Sequence, residues 1–206
     1  MTPRFILASN SPRRRELLMM LGMEFEVIVS DCDENVETEM TPRELVSTLA
    51  MRKAKAVADA HDFDGDFIIL GADTVVWDGE HILGKPRDRE DAKNTFLSLS
   101  EKENSVFSGI ALVGRINGHM HAVSDAVETK VVFGKVSEQD AEFYASTGEP
   151  LDKAGSYALQ GLGGFFVEAL HGDYYNVVGL PIARMRSLLA EEFSLEACDY
   201  IGKRQY

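Results

Sequence analysis

Residues 5–18 constrain the fold most strongly, because a short apolar strand there runs into a helix whose first turn carries three arginines. Ser11 is a suitable N-cap and Pro12 suits the first helical position, so we predict that the helix begins near Pro12. In that turn each arginine faces the positive end of the helix dipole, at a cost of about 0.3 to 1 kcal/mol. A bound anion reverses this cost, which predicts a phosphate site; a solvated basic turn is the alternative. This arginine turn comprises Arg13, Arg14 and Arg15.

The balance of charge limits the partners. The 206 residues include 21 Lys+Arg and 34 Asp+Glu, a net charge of −13, so we expect no nucleic-acid and no membrane partner, and a small phosphate compound as the ligand. The N-terminus has no apolar stretch of signal-peptide length, and no apolar run approaches the thickness of a bilayer. Cys32 and Cys198 have no metal-ligand spacing and indicate a reducing compartment. These features predict a cytoplasmic protein with a single domain over residues 1–206.

Hydrophobic periodicity and turn residues predict a mixed α/β chain. We expect a short strand over residues 24–29 and a helix from Pro42 to about Ala60. The apolar run 66–71 is typical of a central strand buried on both faces, and we expect it to end at Asp73. The other predicted elements are a hairpin at Asp78-Gly79, a helix over 88–99, strands over 105–113 and 122–133 joined by Asn117-Gly118, a helix over 137–147, a strand over 165–167 and a helix over 181–193.

Asp73 is the first candidate for chemistry, because ligand sites in open α/β sheets lie at the carboxyl ends of strands. A carboxylate there can ligate a divalent metal, orient a water molecule or accept its proton. The acidic loop with Asp31, Asp33 and Glu34 follows an earlier strand, so parallel packing brings it to the same sheet edge. One of these acids together with Asp73 would suffice for Mg²⁺. The alternatives are a turn-forming aspartate and a solvated acidic loop.

Two lysines and one glutamine are candidates for nucleotide contacts. Lys85 lies between Gly84 and Pro86, which restrict the loop backbone and so position the side chain. Lys53 borders the apolar stripe of its helix, where a lysine also commonly extends into solvent. A triphosphate would use both lysines and the arginines. The Gln160 amide could pair with a base edge, although a lone glutamine before a glycine is weak evidence.

Several familiar sites are missing from the sequence. No Walker A motif and no dinucleotide fingerprint occurs, so a phosphate site here is of another kind. The five histidines form no zinc-ligand pattern, and no serine or cysteine has an evident histidine partner. Covalent catalysis is therefore disfavoured.

These segments together resemble the Maf family of nucleoside triphosphate pyrophosphatases, once described as septum-formation inhibitors. The resemblance extends to about Leu189, and the ordered combination of motifs is specific. The matching segments are the run from Leu7 to Arg14, the acidic loop at Glu34, Lys53-Ala54-Lys55-Ala56, Gly71-Ala72-Asp73-Thr74-Val75, Gly84-Lys85-Pro86, Asp152-Lys153-Ala154-Gly155, Gln160-Gly161 and Gly179-Leu180-Pro181.

The resemblance implies a Maf/ITPase-like α/β fold, a mixed twisted sheet flanked by helices, with two lobes around a central cleft. It implies hydrolysis of a nucleoside triphosphate to the monophosphate and pyrophosphate with a divalent metal cation, Mg²⁺ or Mn²⁺. Asp73 would activate water, with Glu34 helping it to hold the metal. The implied phosphate contacts are Arg14, Lys53 and Lys85, with Ser9 and Ser11 lining the same pocket.

Three positions indicate the branch of the family. The branch that hydrolyses dTTP and UTP is similar to this chain in carrying Arg13, Thr74 and Gln160, whereas the 7-methyl-GTP branch has Trp, Gln and Glu there. An aromatic residue would stack on a cationic purine, while a glutamine amide suits a uracil edge. We therefore expect dTTP, UTP and modified pyrimidine nucleotides as substrates. Asn10 departs from the residue expected on the phosphate loop.

A different class of function is also open at this stage, a nucleotide-binding regulator of septum formation or cell division with little or no catalysis. The presence of both Asp73 and Glu34 favours the enzyme, because a protein that only binds nucleotide needs no water-activating acid. A homodimer is compatible with either function.

Overall fold

One mixed sheet organises the part of the chain that the computed structural model describes, residues 2–36 and 38–202. Its strand order is β2-β1-β3-β5-β6-β7, with β4 paired to β3. The strands are β1 (Arg4–Leu7), β2 (Glu26–Val27), β3 (Phe67–Trp77), β4 (Ile82–Leu83), β5 (Glu103–Ile116), β6 (His119–Phe133) and β7 (Val167–His171). The helices are α1 (Pro12–Met20), α2 (Pro42–Ala60), α3 (Arg89–Ser98), α4 (Glu138–Ser146), α5 (Tyr174–Val178) and α6 (Ile182–Phe193). Short 3₁₀ turns cover Glu149–Asp152, Ala154–Ser156, Leu162–Phe166 and Ala197–Asp199.

The predicted helices are confirmed, and their ends lie at local capping residues. Thr41 and Ser137 each form a capping box with the acidic residue three positions later, and Asp88 caps α3 by accepting from the Asp91 amide. Pro12 and Pro42 occupy first helical turns, where a missing N–H costs nothing. The hairpin turn at Asn117-Gly118 is also confirmed, with φ of +52° and +80° at its two residues.

Two strand predictions are wrong and a third is only partly right. The strand expected to end at Asp73 continues to Trp77, because β4 pairs with its distal part through Val76↔Leu83 and Trp77↔Ile82. Residues 165–166 belong to a 3₁₀ turn and β7 begins only at Val167, because the Gly164 amide bonds back to the Gly161 carbonyl oxygen. The strand expected over residues 24–29 is reduced to β2. The short helix α5 was not predicted.

The chain divides into two compact units. The first contains Met1–Asp73, Ser108–Val127 and Gly179–Tyr206, and the second contains Thr74–Phe107 and Glu128–Val178. Each has its own apolar core. The core of the first unit includes Ile6, Ala50, Ala54, Val57 and Ile69. The core of the second includes Val76, Phe96, Phe133, Tyr144 and Tyr157.

Parallel pairing in the first unit positions its loops. Strand β1 pairs in parallel with both neighbours, Leu7 lying opposite Val27 of β2 and opposite Leu70 of β3. The loops that follow β1 and β2 therefore leave the sheet on the same side. Strand β3 extends beyond that point, so Asp73 lies just past the end of its pairing with β1.

Among the described residues, no helix combines the length and apolar character needed to cross a membrane.

Candidate active site

The arginine turn contains a buried guanidinium. Arg14 is only 9% exposed. Its Nε donates to the Gly179 carbonyl oxygen at 2.9 Å, and its Nη1 donates to Ser9 Oγ at 2.9 Å. Gly179 has φ +119°, a conformation that glycine adopts readily and other residues rarely do. The carbonyl and the hydroxyl together hold the guanidinium in one orientation.

Ser9 and Ser11 organise the loop between β1 and α1. Ser9 Oγ accepts from the Ser11 amide at 3.2 Å as well as from Arg14. Ser11 is the N-cap of α1, as predicted, but its side chain makes no capping hydrogen bond. The first turn of α1 contains no acidic residue, and Arg13 there is half-buried. The positive end of the helix and the arginines thus coincide, which favours binding of an anion.

Lys53 links two carboxylates. Its Nζ lies 2.6 Å from Asp73 Oδ1 and 3.2 Å from Glu34 Oε1, so these two oxygens are no farther apart than the sum of the two distances. The Lys53 and Asp73 side chains are 10% and 13% exposed, whereas that of Glu34 is 60% exposed. The alternative in which Lys53 extends into solvent is therefore wrong. The structure brings together one residue each from α2, β3 and the acidic loop.

A close approach of α2 to the sheet makes this contact geometrically possible. A Cβ atom at Gly71 would overlap the Ala50 carbonyl oxygen, and one at Gly109 would overlap that of Val46. Glycines at these two positions let the helix backbone lie directly on β3 and β5. Lys53 is one helical turn beyond Ala50, so its side chain reaches Asp73, two residues beyond Gly71.

The buried charges compensate one another in part. Burial lowers the pKa of the Arg14 guanidinium, and the Asp73 carboxylate acts in the opposite direction. Arg13 adds to the lowering, while Glu34 opposes it. Arginine nevertheless stays charged in proteins, so a cation is held next to the Lys53–Asp73 pair. A phosphate group would supply the negative charge that this desolvated cluster lacks.

The sequence is similar to a known protein family. The family model described as "Maf-like protein" matches residues 4–192. The chain belongs to the Maf family. It is 46% identical over 182 residues to the dTTP/UTP pyrophosphatase of Bacillus cytotoxicus, covering 88% of this chain and 92% of that protein. It is 44% identical over 192 residues to that of Alkaliphilus metalliredigens, covering 93% and 97%. Among solved structures it is similar to the Staphylococcus aureus Ham1 protein, with a TM-score of 0.47, 16% identity and coverage of 92% and 99%.

In this Maf protein the acidic loop contributes one carboxylate to the cluster. Asp33 Oδ1 instead accepts from the amide and the side chain of Asn35, at 2.9 and 2.8 Å, and so shapes the loop. Arg52 on α2 donates to the Asn35 carbonyl oxygen at 2.8 Å, which ties the loop to the helix that carries Lys53. Glu34 is thereby presented to Lys53.

The Asp73 and Glu34 carboxylates suit a divalent cation that enters the site together with a phosphate ligand. Among residues 2–36 and 38–202, no group of three or more His, Cys, Asp or Glu side chains is arranged to hold a metal by itself. Asp73 and Glu34 converge on a single nitrogen, however, and Mg²⁺ commonly takes only one or two protein carboxylates and completes its shell with water and phosphate oxygens. The donor set therefore fits a metal that enters with a triphosphate.

The remaining predicted residues belong to the second unit. Thr74 follows Asp73 in β3 and is half-buried, whereas Lys85 and Gln160 are exposed. The Gly155 amide donates to the Gly84 carbonyl oxygen at 3.1 Å, so the Lys85 loop and the Asp152-Lys153-Ala154-Gly155 segment are joined. A Cβ at Gly155 would overlap Val76, and its φ is +68°. The glycine at position 155 is thus explained by its positive φ and by its close approach to Val76 of β3.

Two residues of the site were missed by sequence reasoning. Gly179 supplies the carbonyl that orients Arg14, and Gly71 allows α2 to approach β3. Both lie in segments that resemble the Maf family, and that resemblance is the signal that could have identified them. Neither role can be deduced from a single sequence, because each depends on a partner far away in the chain.

Proposed function

We propose that this protein is a pyrophosphatase that hydrolyses dTTP and UTP to the nucleoside monophosphate and pyrophosphate. Its Maf relatives of 43–46% identity carry the name dTTP/UTP pyrophosphatase. The observation that carries the proposal is the contact of one buried lysine, Lys53, with both Asp73 and Glu34. A carboxylate held at a defined point beside buried cations is suited to water activation next to phosphate.

The residues of the first unit have separate roles. Arg14 and Lys53 bind the phosphates, with Ser9 and Ser11 contributing hydroxyl groups. Asp73 orients a water molecule and accepts its proton as the water oxygen bonds to the α-phosphorus. The bond from that phosphorus to the bridging oxygen breaks, and the electron pair leaves with pyrophosphate. Cations already in place lower the cost of the charge that develops on the phosphates.

A divalent cation, Mg²⁺ or Mn²⁺, is part of the proposal. Asp73 and Glu34 would hold it, because they are the two carboxylates that converge in this unit. When bound, it supplies neutralisation of phosphate charge and polarisation of phosphate oxygens.

Four further residues are assigned to the base and to a phosphate. Lys85 would bind phosphate, while Arg13, Thr74 and Gln160 would define the pyrimidine. The Gln160 amide carries both a donor and an acceptor, which matches the edge of uracil or thymine and of modified pyrimidines.

The proposal also includes the setting of the enzyme. We infer a single Maf-like domain over residues 1–206 with two lobes, supported by a family match over residues 4–192. Cytoplasmic location fits the substrate, and Cys32 and Cys198 are free thiols, as is usual in a reducing compartment.

The test is pyrophosphate release from dTTP, UTP, CTP, dATP, GTP and 7-methyl-GTP with Mg²⁺, with Mn²⁺ and with a chelator. We expect turnover of dTTP and UTP only when a metal is present. Asp73→Asn should lower kcat by on the order of 10²- to 10⁴-fold while binding of a non-hydrolysable UTP analogue is retained, because the change removes basicity with little change of shape.

The matched control is Asp66→Asn, an aspartate just before β3 whose Oδ1 accepts from the Asn117 amide at 3.0 Å. It should keep wild-type turnover. Equal activity of Asp73→Asn and Asp66→Asn would remove Asp73 from the mechanism. Binding of nucleotide with no turnover of any substrate would show that the protein is not this enzyme.

A further inference from the structure

Glu149 bonds to the segment that follows Gln160. Its Oε1 accepts from the Gly163 amide at 3.2 Å, and its Oε2 accepts from the Leu162 amide at 3.1 Å. A Cβ atom at Gly161 would overlap the Glu149 carboxylate, so only glycine permits this approach. All of these residues belong to the second unit. The carboxylate thus bonds directly to backbone two and three residues beyond Gln160.

Tyr144 fixes the same segment from its other end. Its hydroxyl donates to Glu149 Oε1 at 2.9 Å and accepts from the Ala158 amide at 3.1 Å. Burial raises the pKa of the Tyr144 phenol, so the hydroxyl stays protonated and able to donate. Two side chains therefore bond to backbone amides on both sides of an exposed Gln160.

The carboxylate is itself held in place. Gly148 has φ +79° and turns the chain away from the end of α4. Thr147 Oγ1 then accepts from the Glu149 amide at 3.2 Å. Tyr144 is 1% exposed and packs against Phe96, with ring centroids 4.5 Å apart. The two side chains are thus anchored to the helical core of the second unit, which is a rigid support for a loop.

We propose that Glu149 and Tyr144 are positioning residues for nucleobase recognition, and that their hydrogen bonds to residues 158–163 hold Gln160 at the edge of the pyrimidine. The inference rests on the proposed function, since it assigns a role to the support of Gln160. This role accounts for a glutamate side chain that accepts backbone N–H bonds in a loop instead of facing solvent. A loop whose backbone is fixed on both sides loses less conformational entropy when its side-chain amide binds a base.

The test compares Glu149→Gln, Tyr144→Phe and Gln160→Ala. Glutamine keeps the shape of Glu149 but places an NH₂ group where a backbone N–H or the Tyr144 hydroxyl donates, so at least one bond is lost. We expect the preference for UTP over CTP, measured as the ratio of kcat/KM, to fall about tenfold in each variant. The change should appear in KM for UTP more than in kcat, because Gln160 is assigned to the base and not to the reacting phosphorus.

Two further measurements separate positioning from general structural damage. Hydrogen exchange of the Leu162 and Gly163 amides should accelerate in Glu149→Gln. In the Gln160→Ala background, Glu149→Gln should cause no further loss of UTP preference, because the group being positioned is already gone. Should Glu149→Gln fail to fold, Tyr144→Phe tests the same inference with the loss of a single hydroxyl.

The matched control is Asp78→Asn. Asp78 Oδ1 also accepts two backbone amides of a turn in the second unit, from Glu80 at 2.9 Å and His81 at 2.7 Å, but in the hairpin between β3 and β4. It should leave the UTP to CTP ratio unchanged.

The outcomes distinguish the two proposals. A wild-type protein that hydrolyses no nucleotide contradicts the proposed function. A preference that falls in Gln160→Ala but is unchanged in Glu149→Gln and Tyr144→Phe overturns the positioning inference alone, as does unchanged amide exchange in Glu149→Gln. A preference unchanged in Gln160→Ala overturns base recognition by this residue, and the positioning inference with it.

Discussion

Arg14 combines a buried charge with a fixed orientation, and the fork of the guanidinium is what permits both. Lysine in its place would keep the charge but has a single nitrogen, which cannot reach both the Gly179 carbonyl oxygen and Ser9 Oγ in the same geometry. We expect Arg14→Lys to destabilise the fold by about 1 to 3 kcal/mol, since a buried acceptor loses its partner. We also expect kcat/KM for UTP to fall by at least about tenfold. Thermal unfolding and steady-state kinetics measure the two effects.

Arg15→Lys is the control for this substitution in the same helical turn. Arg15 is half-buried, and its Nη2 makes a 3.4 Å contact to the Asn10 carbonyl oxygen. The Arg15→Lys substitution should change the free energy of unfolding by no more than about 0.5 kcal/mol and leave turnover unaltered. Similar losses from both substitutions would mean that the bonds of Arg14 to the Gly179 carbonyl oxygen and to Ser9 Oγ give it no special role.

Base selection is a second property of individual residues. The double substitution Arg13→Trp with Gln160→Glu introduces two residues of the 7-methyl-GTP branch. We expect UTP turnover to fall while the unfolding temperature stays near that of the wild type, because Gln160 is exposed and Arg13 is half-buried. Relative kcat/KM for UTP and 7-methyl-GTP is the measurement. An unchanged ratio would show that nucleotide preference depends on other positions.

Residue types and strand ends predicted that the arginine turn, Asp73 and the acidic loop could bind phosphate or metal. The choice of Arg14 and Glu34 within those groups, and of Lys53 over a solvated lysine, came from the resemblance to the Maf family. The residues that orient them could not be identified in that way. Gly179 is 165 residues from Arg14 in the chain, and a glycine reveals nothing of its partner until that partner is in place.

At the scale of elements, the contact between α2 and β3 determines the position of Lys53. We expect Gly71→Ala to destabilise the fold by about 1 to 3 kcal/mol, because the new Cβ meets the Ala50 carbonyl and neither backbone can move freely. Displacement of α2 should also weaken the Lys53–Asp73 contact and reduce kcat. Urea unfolding monitored by circular dichroism gives the stability.

Gly84→Ala is the control for the stability measurement. A Cβ atom there meets nothing within 4 Å, and Gly84 does not have a positive φ. The free energy of unfolding of the Gly84→Ala variant should stay within about 1 kcal/mol of that of the wild type. If Gly71→Ala were equally mild, the close approach of α2 would not limit the fold.

Elements were predicted accurately where the residues that define their ends are close together in the sequence. Helix α2 was predicted from Pro42 to Ala60, as observed, because its cap and its apolar stripe are local features. The end of β3 was misplaced because the residues after Asp73 become strand through pairing with neighbouring strands, among them Leu83 and Ile82 of β4. Pairing across a hairpin is not encoded in the composition of one strand. The chemistry assigned to Asp73 is unaffected by this error, but the structure places the residue within a strand instead of at the start of a loop.

The net charge of the whole molecule should allow short anions to bind and exclude long ones. The net charge of −13 opposes the approach of a long polyanion, while Arg14 and Lys53 offer a small buried group of cations to a short one. We expect inorganic triphosphate to inhibit UTP hydrolysis competitively. We expect polyuridylate, at the same concentration of phosphate and at physiological ionic strength, to leave turnover unchanged.

Both anions present phosphate charge, inorganic triphosphate on a short chain and polyuridylate on a long one. Polyuridylate also presents the base that the enzyme is proposed to recognise, so a lack of inhibition cannot be attributed to a missing uracil. Inhibition by both anions would require a basic surface that tracks a nucleic-acid backbone, and its strength would then fall steeply with added salt. Inhibition by triphosphate alone, retained as salt is raised, is the outcome that a desolvated cation cluster predicts, since buried charges are screened much less than exposed ones.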